Sequence, residues 1–185
     1  PPLYYLLAMG IVRQVDRADG DVQLRLNPFV QSGIVEPGDN VNTLVHSPAE
    51  DWPWRGVALA VHLVRLFSVA LGTATVVATL AIGRELFGRN SVVGIGAAAL
   101  VALNPMFLYM SGSINNDNLV TCIASWAVAL MVRMQGRRVT WPHTLGLGLL
   151  CGLAALAKVS GLALLPLAAL AVALAVRTET LRQQT

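Results

Sequence analysis

The sequence predicts an all-α protein: a polytopic membrane helix bundle of about five transmembrane helices with an extracytoplasmic N-terminal loop. Apolar residues make up 55% of the 185 residues and charged residues only 12%, about half the charged fraction of a soluble domain. Several apolar runs approach or exceed the roughly 20 residues that a helix needs to cross a bilayer core of about 30 Å. Arginines follow alternate runs, which predicts how the bundle is oriented.

Residues 1–56 are predicted to form the extracytoplasmic loop, with short helices lying along the membrane. Most of this segment is too polar to span a bilayer, contains turn signals such as Pro37-Gly38, and ends on Trp52 and Trp54, where an aromatic belt is expected. The chain opens on Pro-Pro, without an initiator methionine or the features of a signal peptide. We therefore expect a fragment whose missing upstream portion includes at least one membrane helix.

Residues 57–176 are predicted to be the transmembrane bundle, and 177–185 a cytoplasmic tail. Asn104-Pro105 is expected to kink or break the second span near its outer end, because proline removes a backbone donor and clashes with the preceding turn. The first three predicted spans are Val57–Ile82, Val92–Met110 and Leu119–Val132.

The remaining apolar run, Leu145–Val176, is predicted to be two short spans that meet near Lys158–Gly161. As one helix its 32 residues would measure about 48 Å, well beyond the hydrocarbon core. A hairpin also places the arginines of three loops on one side, which the positive-inside rule assigns to the cytoplasm of a plasma or inner cell membrane. These arginines are Arg84, Arg89, Arg133, Arg137, Arg138, Arg177 and Arg182.

Four amide or acid side chains, Asn115, Asn116, Asp117 and Asn118, stand together at the predicted outer start of the third span. They could cap the helix by accepting hydrogen bonds from free backbone N–H groups, although one cap needs only one residue. Several oxygen ligands beside a carboxylate could also hold a divalent metal ion, or bind a sugar or phosphate through it. The residues leave both alternatives open, with Asp117 the candidate metal ligand and no cofactor certain.

His62 and Arg65 lie one turn apart inside the first predicted span. An ionisable residue in a membrane helix is a functional-site hypothesis by default, although both side chains could instead snorkel to the headgroups. Arg65 lies 11 residues beyond Trp54, about 16 Å along a helix. If Trp54 marks the interface, this depth predicts a hydrated cavity in which the Arg65 guanidinium meets an anion.

Three further ionisable residues are candidates for substrate binding. Lys158 lies where the hairpin turns, and either anchors the helix at the headgroups or binds an anionic lipid head. His46 and Glu50 lie in the loop before the first span. Their spacing is no standard zinc signature, and solvation of the loop is the simpler interpretation.

The sequence resembles the GT-C type of membrane glycosyltransferases, which transfer sugars from polyprenyl-phosphate carriers. The protein O-mannosyltransferases and the aminoarabinose–lipid A transferases belong to this type. The order and spacing of the similar stretches agree from residue 57 to 176. The stretches are PPLYYLL, RLFSVALGTATVVATLAIGRELFG, NPMFLYMSGSINNDNLV and GLLCGLAALAKVSGLALLPLAAL.

The resemblance implies an enzyme that transfers a sugar from a polyprenyl-phosphate donor to a glycan, lipid or protein acceptor outside the cytoplasm. It implies that Asp117 is the acid at the outer end of a family helix, and that Lys158 is the lysine of the family's G-L-x-x-L-x-K motif. Arg65 and Lys158 would then bind the donor phosphate, and Asp117 would bind sugar hydroxyls, a metal or a basic partner. The family's catalytic carboxylate lies upstream of Pro1, so the chain alone is expected to be inactive.

Two other classes of membrane protein remain as alternatives. A transporter or flippase also places charges within the membrane, but it predicts inverted internal repeats, and no repeat is evident. A non-catalytic integral membrane protein is the third possibility. The bilayer is the expected partner in every case, and no nucleic acid is.

Overall fold

The computed structural model describes residues 2–30, 42–135, 137 and 139–183. Within these residues the chain forms eight α-helices and no strand, so the all-α prediction is confirmed. The predicted turn at Pro37-Gly38 and the side chains of Arg138 and Arg182 lie outside the described part. The helices are α1 (Leu3–Val12), α2 (Gly20–Gln23), α3 (Gly56–Phe87), α4 (Val92–Ala102), α5 (Pro105–Ser111), α6 (Asn116–Gln135), α7 (Trp141–Ala157) and α8 (Leu164–Gln183).

The chain divides into two compact units, and each is described by itself. The smaller unit is Met9–Val64. It contains α2, a 3₁₀ turn at Pro48–Glu50 and the first turns of α3. The Asp19 carboxylate accepts a hydrogen bond of 3.1 Å from the Val57 N–H, which satisfies one of the free donors at the start of α3. Short helices are therefore present in the predicted loop, and their position on a membrane stays a prediction.

The larger unit joins Pro1–Ala8 to Arg65–Thr185. Within the stretch PPLYYLL, Tyr4 is fully buried. The Tyr4 hydroxyl lies 2.7 Å from the buried Ser68 hydroxyl, and the Tyr4 ring packs 5.9 Å from the Phe67 ring between centroids. The start of α1 is thus held against α3 by one buried hydrogen bond and one aromatic contact.

Three helical segments are long and apolar enough to cross a membrane: α3, α6 and Val159–Leu181, which includes most of α8. The bent pair α4–α5 would make a fourth span if it crosses as one. Helix α7, with 17 residues, is apolar but shorter. Each of the five predicted spans thus corresponds to a helix or to the bent pair. Within the described residues, three or four of them are long and apolar enough to cross a membrane.

The second predicted span breaks at Asn104-Pro105, as expected. The Asn104 side chain accepts hydrogen bonds from the Met106 N–H at 2.9 Å and from the Phe107 N–H at 3.2 Å. This cap starts a new helix whose axis is bent by 62° from that of α4. Pro105 follows at the first helical position, where its missing N–H costs nothing.

The hairpin prediction is confirmed for the chain path. Helix α7 ends at Ala157 because Lys158 is extended, with φ −158° and ψ 145°. The start of α6 lies beside the end of α7, whereas at the end of α6 the Gln135 side chain donates to the Ala171 carbonyl of α8 at 2.9 Å. Helix α7 is therefore antiparallel to both α6 and α8. Gly161 permits the tight return, because a Cβ there would overlap the backbone of α7.

The ends of α3, α6 and α8 lie at one end of the bundle. The Arg137 guanidinium and the Glu85 carboxylate form an ion pair of 2.8 Å, and the Val139 N–H donates to the Glu179 carboxylate at 3.3 Å. This bundle end also carries Arg133, Arg84, Arg89 and Arg177. The shared end agrees with the predicted one-sided distribution of arginines, and its assignment to the cytoplasm stays a prediction.

Candidate functional site

The amide–acid cluster at the start of α6 does more than cap one helix. The Asn115 side chain accepts a hydrogen bond of 3.0 Å from the Asp117 N–H, so Asn115 is the cap of α6. The buried Asn118 amide donates to the carbonyls of Met110 at 2.9 Å and Ser113 at 3.1 Å, which ties the start of α6 to the turn after α5. Capping therefore explains one of the four residues, and Asn118 closes the α5–α6 turn.

The other two residues of the cluster bind the hairpin. The Asn116 amide donates to the Ala157 carbonyl at 3.3 Å, where α7 ends. The Asp117 carboxylate forms an ion pair and hydrogen bond with the Lys158 ammonium. About 40% of each of these two charged side chains is exposed. The pair is thus half-buried, and both charges remain within reach of a ligand.

A cavity of about 320 Å³ lies beside Asp117, within the range of roughly 300–1,000 Å³ that is typical of ligand sites. Its wall combines a carboxylate with amide and hydroxyl groups, which are the groups that hydrogen-bond sugar hydroxyls. The polar lining residues are Thr75, Asn104, Asp117, Asn118 and Thr121, and the others are Gly72, Met106, Phe107 and Met110.

Arg65 lies on α3 but not in the lining of this cavity. It is exposed and has no hydrogen-bond or ion-pair partner among the described residues. Gly72, the first α3 residue of the cavity wall, comes seven residues later, or about 10 Å along the helix. Arg65 therefore lies outside the cavity wall that contains Asp117.

The position of the Trp54 ring bears on the predicted depth of Arg65 in the membrane, because that depth is counted from Trp54. The Trp54 ring stacks on the His62 ring with centroids 3.7 Å apart and planes at 16°, and the His62 Nδ1–H donates to the Ala58 carbonyl at 2.8 Å. His62 precedes Arg65 by three residues, about 4.5 Å of helix. The count of 11 residues from Trp54 therefore does not measure the depth of Arg65, and a hydrated cavity around Arg65 stays a prediction.

His46 and Glu50 form a local contact in the smaller unit. The His46 Nδ1 lies 2.8 Å from the Glu50 carboxylate, and Glu50 also accepts from the Ser47 N–H at 3.2 Å. The hydrogen bond from His46 lowers the pKa of Glu50 below its ordinary value of 4.5, and the Ser47 N–H acts in the same direction. These contacts stabilise the 3₁₀ turn that Pro48 begins.

The described residues contain no group of three or more His, Cys, Asp or Glu side chains that could hold a metal ion. A metal role for Asp117, whose carboxylate is already paired with Lys158, stays a prediction. Sequence reasoning missed Thr75, Asn104 and Thr121 as parts of the cavity wall. Isolated threonines in apolar helices carry no signal of their own, and Asn104 was interpreted only as a break.

One comparison with known proteins decides the family. The family model of dolichyl-phosphate-mannose-protein mannosyltransferases matches residues 55–185, which is most of the chain and includes the Asp117–Lys158 pair. The chain belongs to this family. No curated protein and no solved structure shows significant similarity to it. The family membership confirms the GT-C resemblance and supports a membrane glycosyltransferase of the mannosyltransferase type.

Proposed function

We propose that this chain belongs to an enzyme that transfers a sugar from a polyprenyl-phosphate carrier to an acceptor on the extracytoplasmic side of a cell membrane. One observation carries the proposal. Within the segment that matches the family, Lys158 at the break between α7 and α8 pairs with Asp117 of α6, and Asp117 lines a cavity with both polar and apolar residues. Lys158, a cation that could bind a phosphate, therefore lies next to Asp117, whose cavity has polar groups that could bind a sugar.

The chemistry of the transfer requires both parts of this site. The acceptor oxygen attacks the anomeric carbon and loses its proton to a base, while the bond from that carbon to the phosphate oxygen breaks. The lipid phosphate leaves with the electron pair, so its negative charge grows in the transition state, and a fixed cation stabilises it. Lys158 would supply that cation. Asp117 would orient Lys158 and accept hydrogen bonds from the sugar.

Arg65 is the second proposed contact of the donor phosphate, on the α3 side. Its guanidinium has no partner among the described residues and offers a planar fork that suits a phosphate. Its distance of about 10 Å along α3 from the start of the cavity wall makes Lys158 the stronger candidate. The proposed location outside the cytoplasm is supported by the arginines at the opposite bundle end.

The test measures sugar transfer from a polyprenyl-phosphate donor by the full-length protein. Lys158→Met should lower transfer by about a hundredfold or more, the usual cost of one charge-stabilising contact in the transition state, and Lys158→Arg should restore part of it. Arg65→Ala should raise the donor KM by a smaller factor. The matched control is Arg89→Ala, which removes an exposed charge, without an ion-pair partner among the described residues, close to the other end of α3.

Transfer by Lys158→Met at the wild-type rate would refute the assignment of the phosphate to this pair. A wild-type protein that moves the lipid-linked sugar across the bilayer without transferring it would refute the transferase proposal itself. Circular dichroism of each purified variant separates a loss of binding from a loss of folding.

A further inference from the structure

A second groove lies far from the Asp117 cavity, between α3, α6 and α7. Its volume is about 400 Å³. Its floor is apolar, and its charged residues, Glu85 and Arg133, lie near the ends of α3 and α6. Arg133 comes 16 residues after Asp117 on α6, about 24 Å along the helix. The apolar lining residues are Ala81, Trp126, Ala129, Leu130 and Leu150.

The charges at this end of the groove leave one cation without a partner. Glu85 is paired with Arg137 at 2.8 Å, so its carboxylate is already neutralised. Arg133 lines the same groove, is exposed, and has no ion pair or hydrogen bond with any described side chain. Because Arg137 pairs with Glu85, that carboxylate of the groove lining is not available to Arg133. The groove thus combines an apolar floor with an unneutralised guanidinium.

We propose that this groove binds an anionic phospholipid. The phosphodiester would contact the Arg133 guanidinium, whose fork matches phosphate oxygens, and one acyl chain would lie along the apolar floor. Basic pockets between membrane helices are typical sites for anionic headgroups. A zwitterionic lipid would bring its ammonium group next to Arg133 and Arg137, so charge favours the anionic class. The separation from the Asp117 cavity makes this site independent of sugar transfer.

The experiment compares phosphatidylglycerol with phosphatidylcholine on the purified chain by native mass spectrometry. The wild type should retain phosphatidylglycerol preferentially. Arg133→Gln should weaken that retention roughly fivefold or more, because one basic residue at an anionic surface contributes about 1 kcal/mol. Arg89→Gln is the matched control, since Arg89 is also exposed at this bundle end and has no ion-pair partner in the described part of the chain, but lies outside the groove lining. It should keep the preference.

A second measurement locates the lipid. Trp126, 38% exposed, lines the groove, so phosphatidylglycerol with brominated acyl chains should quench a fluorescence component that Trp126→Phe removes. Ala129→Phe should fill the groove and reduce both quenching and retention while leaving the charge intact. Equal retention of the two lipids by the wild type would overturn the proposal. The same loss in Arg89→Gln, or unchanged binding by a folded Ala129→Phe protein, would overturn it as well.

Discussion

The Asp117–Lys158 pair is predicted to hold the hairpin to α6, and Asp117→Asn and Lys158→Met test this by a double-mutant cycle. Exposed ion pairs contribute about 0.2–1 kcal/mol to stability, and breaking a buried pair costs about 3–5 kcal/mol. With side chains 40% and 39% exposed, the pair lies between these limits. We expect a coupling energy of about 1–2 kcal/mol, which corresponds to about 2–8 °C in Tm for a chain of this length.

The assay follows the thermal exposure of Cys122 and Cys151 with a thiol-reactive dye, because both cysteines are free and buried. Each single variant should melt earlier, and the double variant should melt close to the singles rather than at the sum of their effects. Arg89→Met, at an exposed and unpaired position, should change stability by less than about 0.5 kcal/mol. Strict additivity of the two substitutions would show that the pair is not coupled and would refute the reasoning.

Three other predictions concern the hairpin, the sidedness and the loop. Gly161→Val should destabilise the protein by about 2 kcal/mol or more, because the valine side chain would collide with the α7 backbone. An unchanged melting temperature would contradict the close contact between Gly161 and α7. Ser160→Cys and Arg89→Cys, in a background without the native cysteines, should react with an impermeant reagent from opposite sides of the membrane. Labelling of both positions from the same side would refute the predicted sidedness. The lowered pKa of Glu50 means that its bond to His46 stabilises the loop above the ordinary pKa of about 4.5. This contribution should disappear as the pH falls through the lower folded-state value, seen as a smaller protection factor of the Ser47 amide against exchange, and a pH-independent protection factor would argue against it.

Several features could be predicted from the sequence because they depend on local properties of the chain. The apolar runs are long enough to identify membrane helices whatever their neighbours are. Asn104-Pro105 breaks its helix through an effect confined to one turn. The hairpin at Lys158 follows from an apolar run too long for one crossing and from the asymmetry of the arginines. Family resemblance was visible for the same reason, since it rests on ordered short stretches.

The partners of each polar side chain were decided only by the tertiary structure. These membrane helices are apolar on nearly every side and carry no stripe that predicts which face is buried against which neighbour. Lys158 contacts Asp117, which comes 41 residues earlier in the chain. The Trp54 ring stacks on His62, so sequence distance from Trp54 does not measure the depth of Arg65. The cavity beside Asp117 and the groove at Arg133 exist only where helices distant in sequence pack together, because a helix pattern records periodicity along the chain and not the position of other helices.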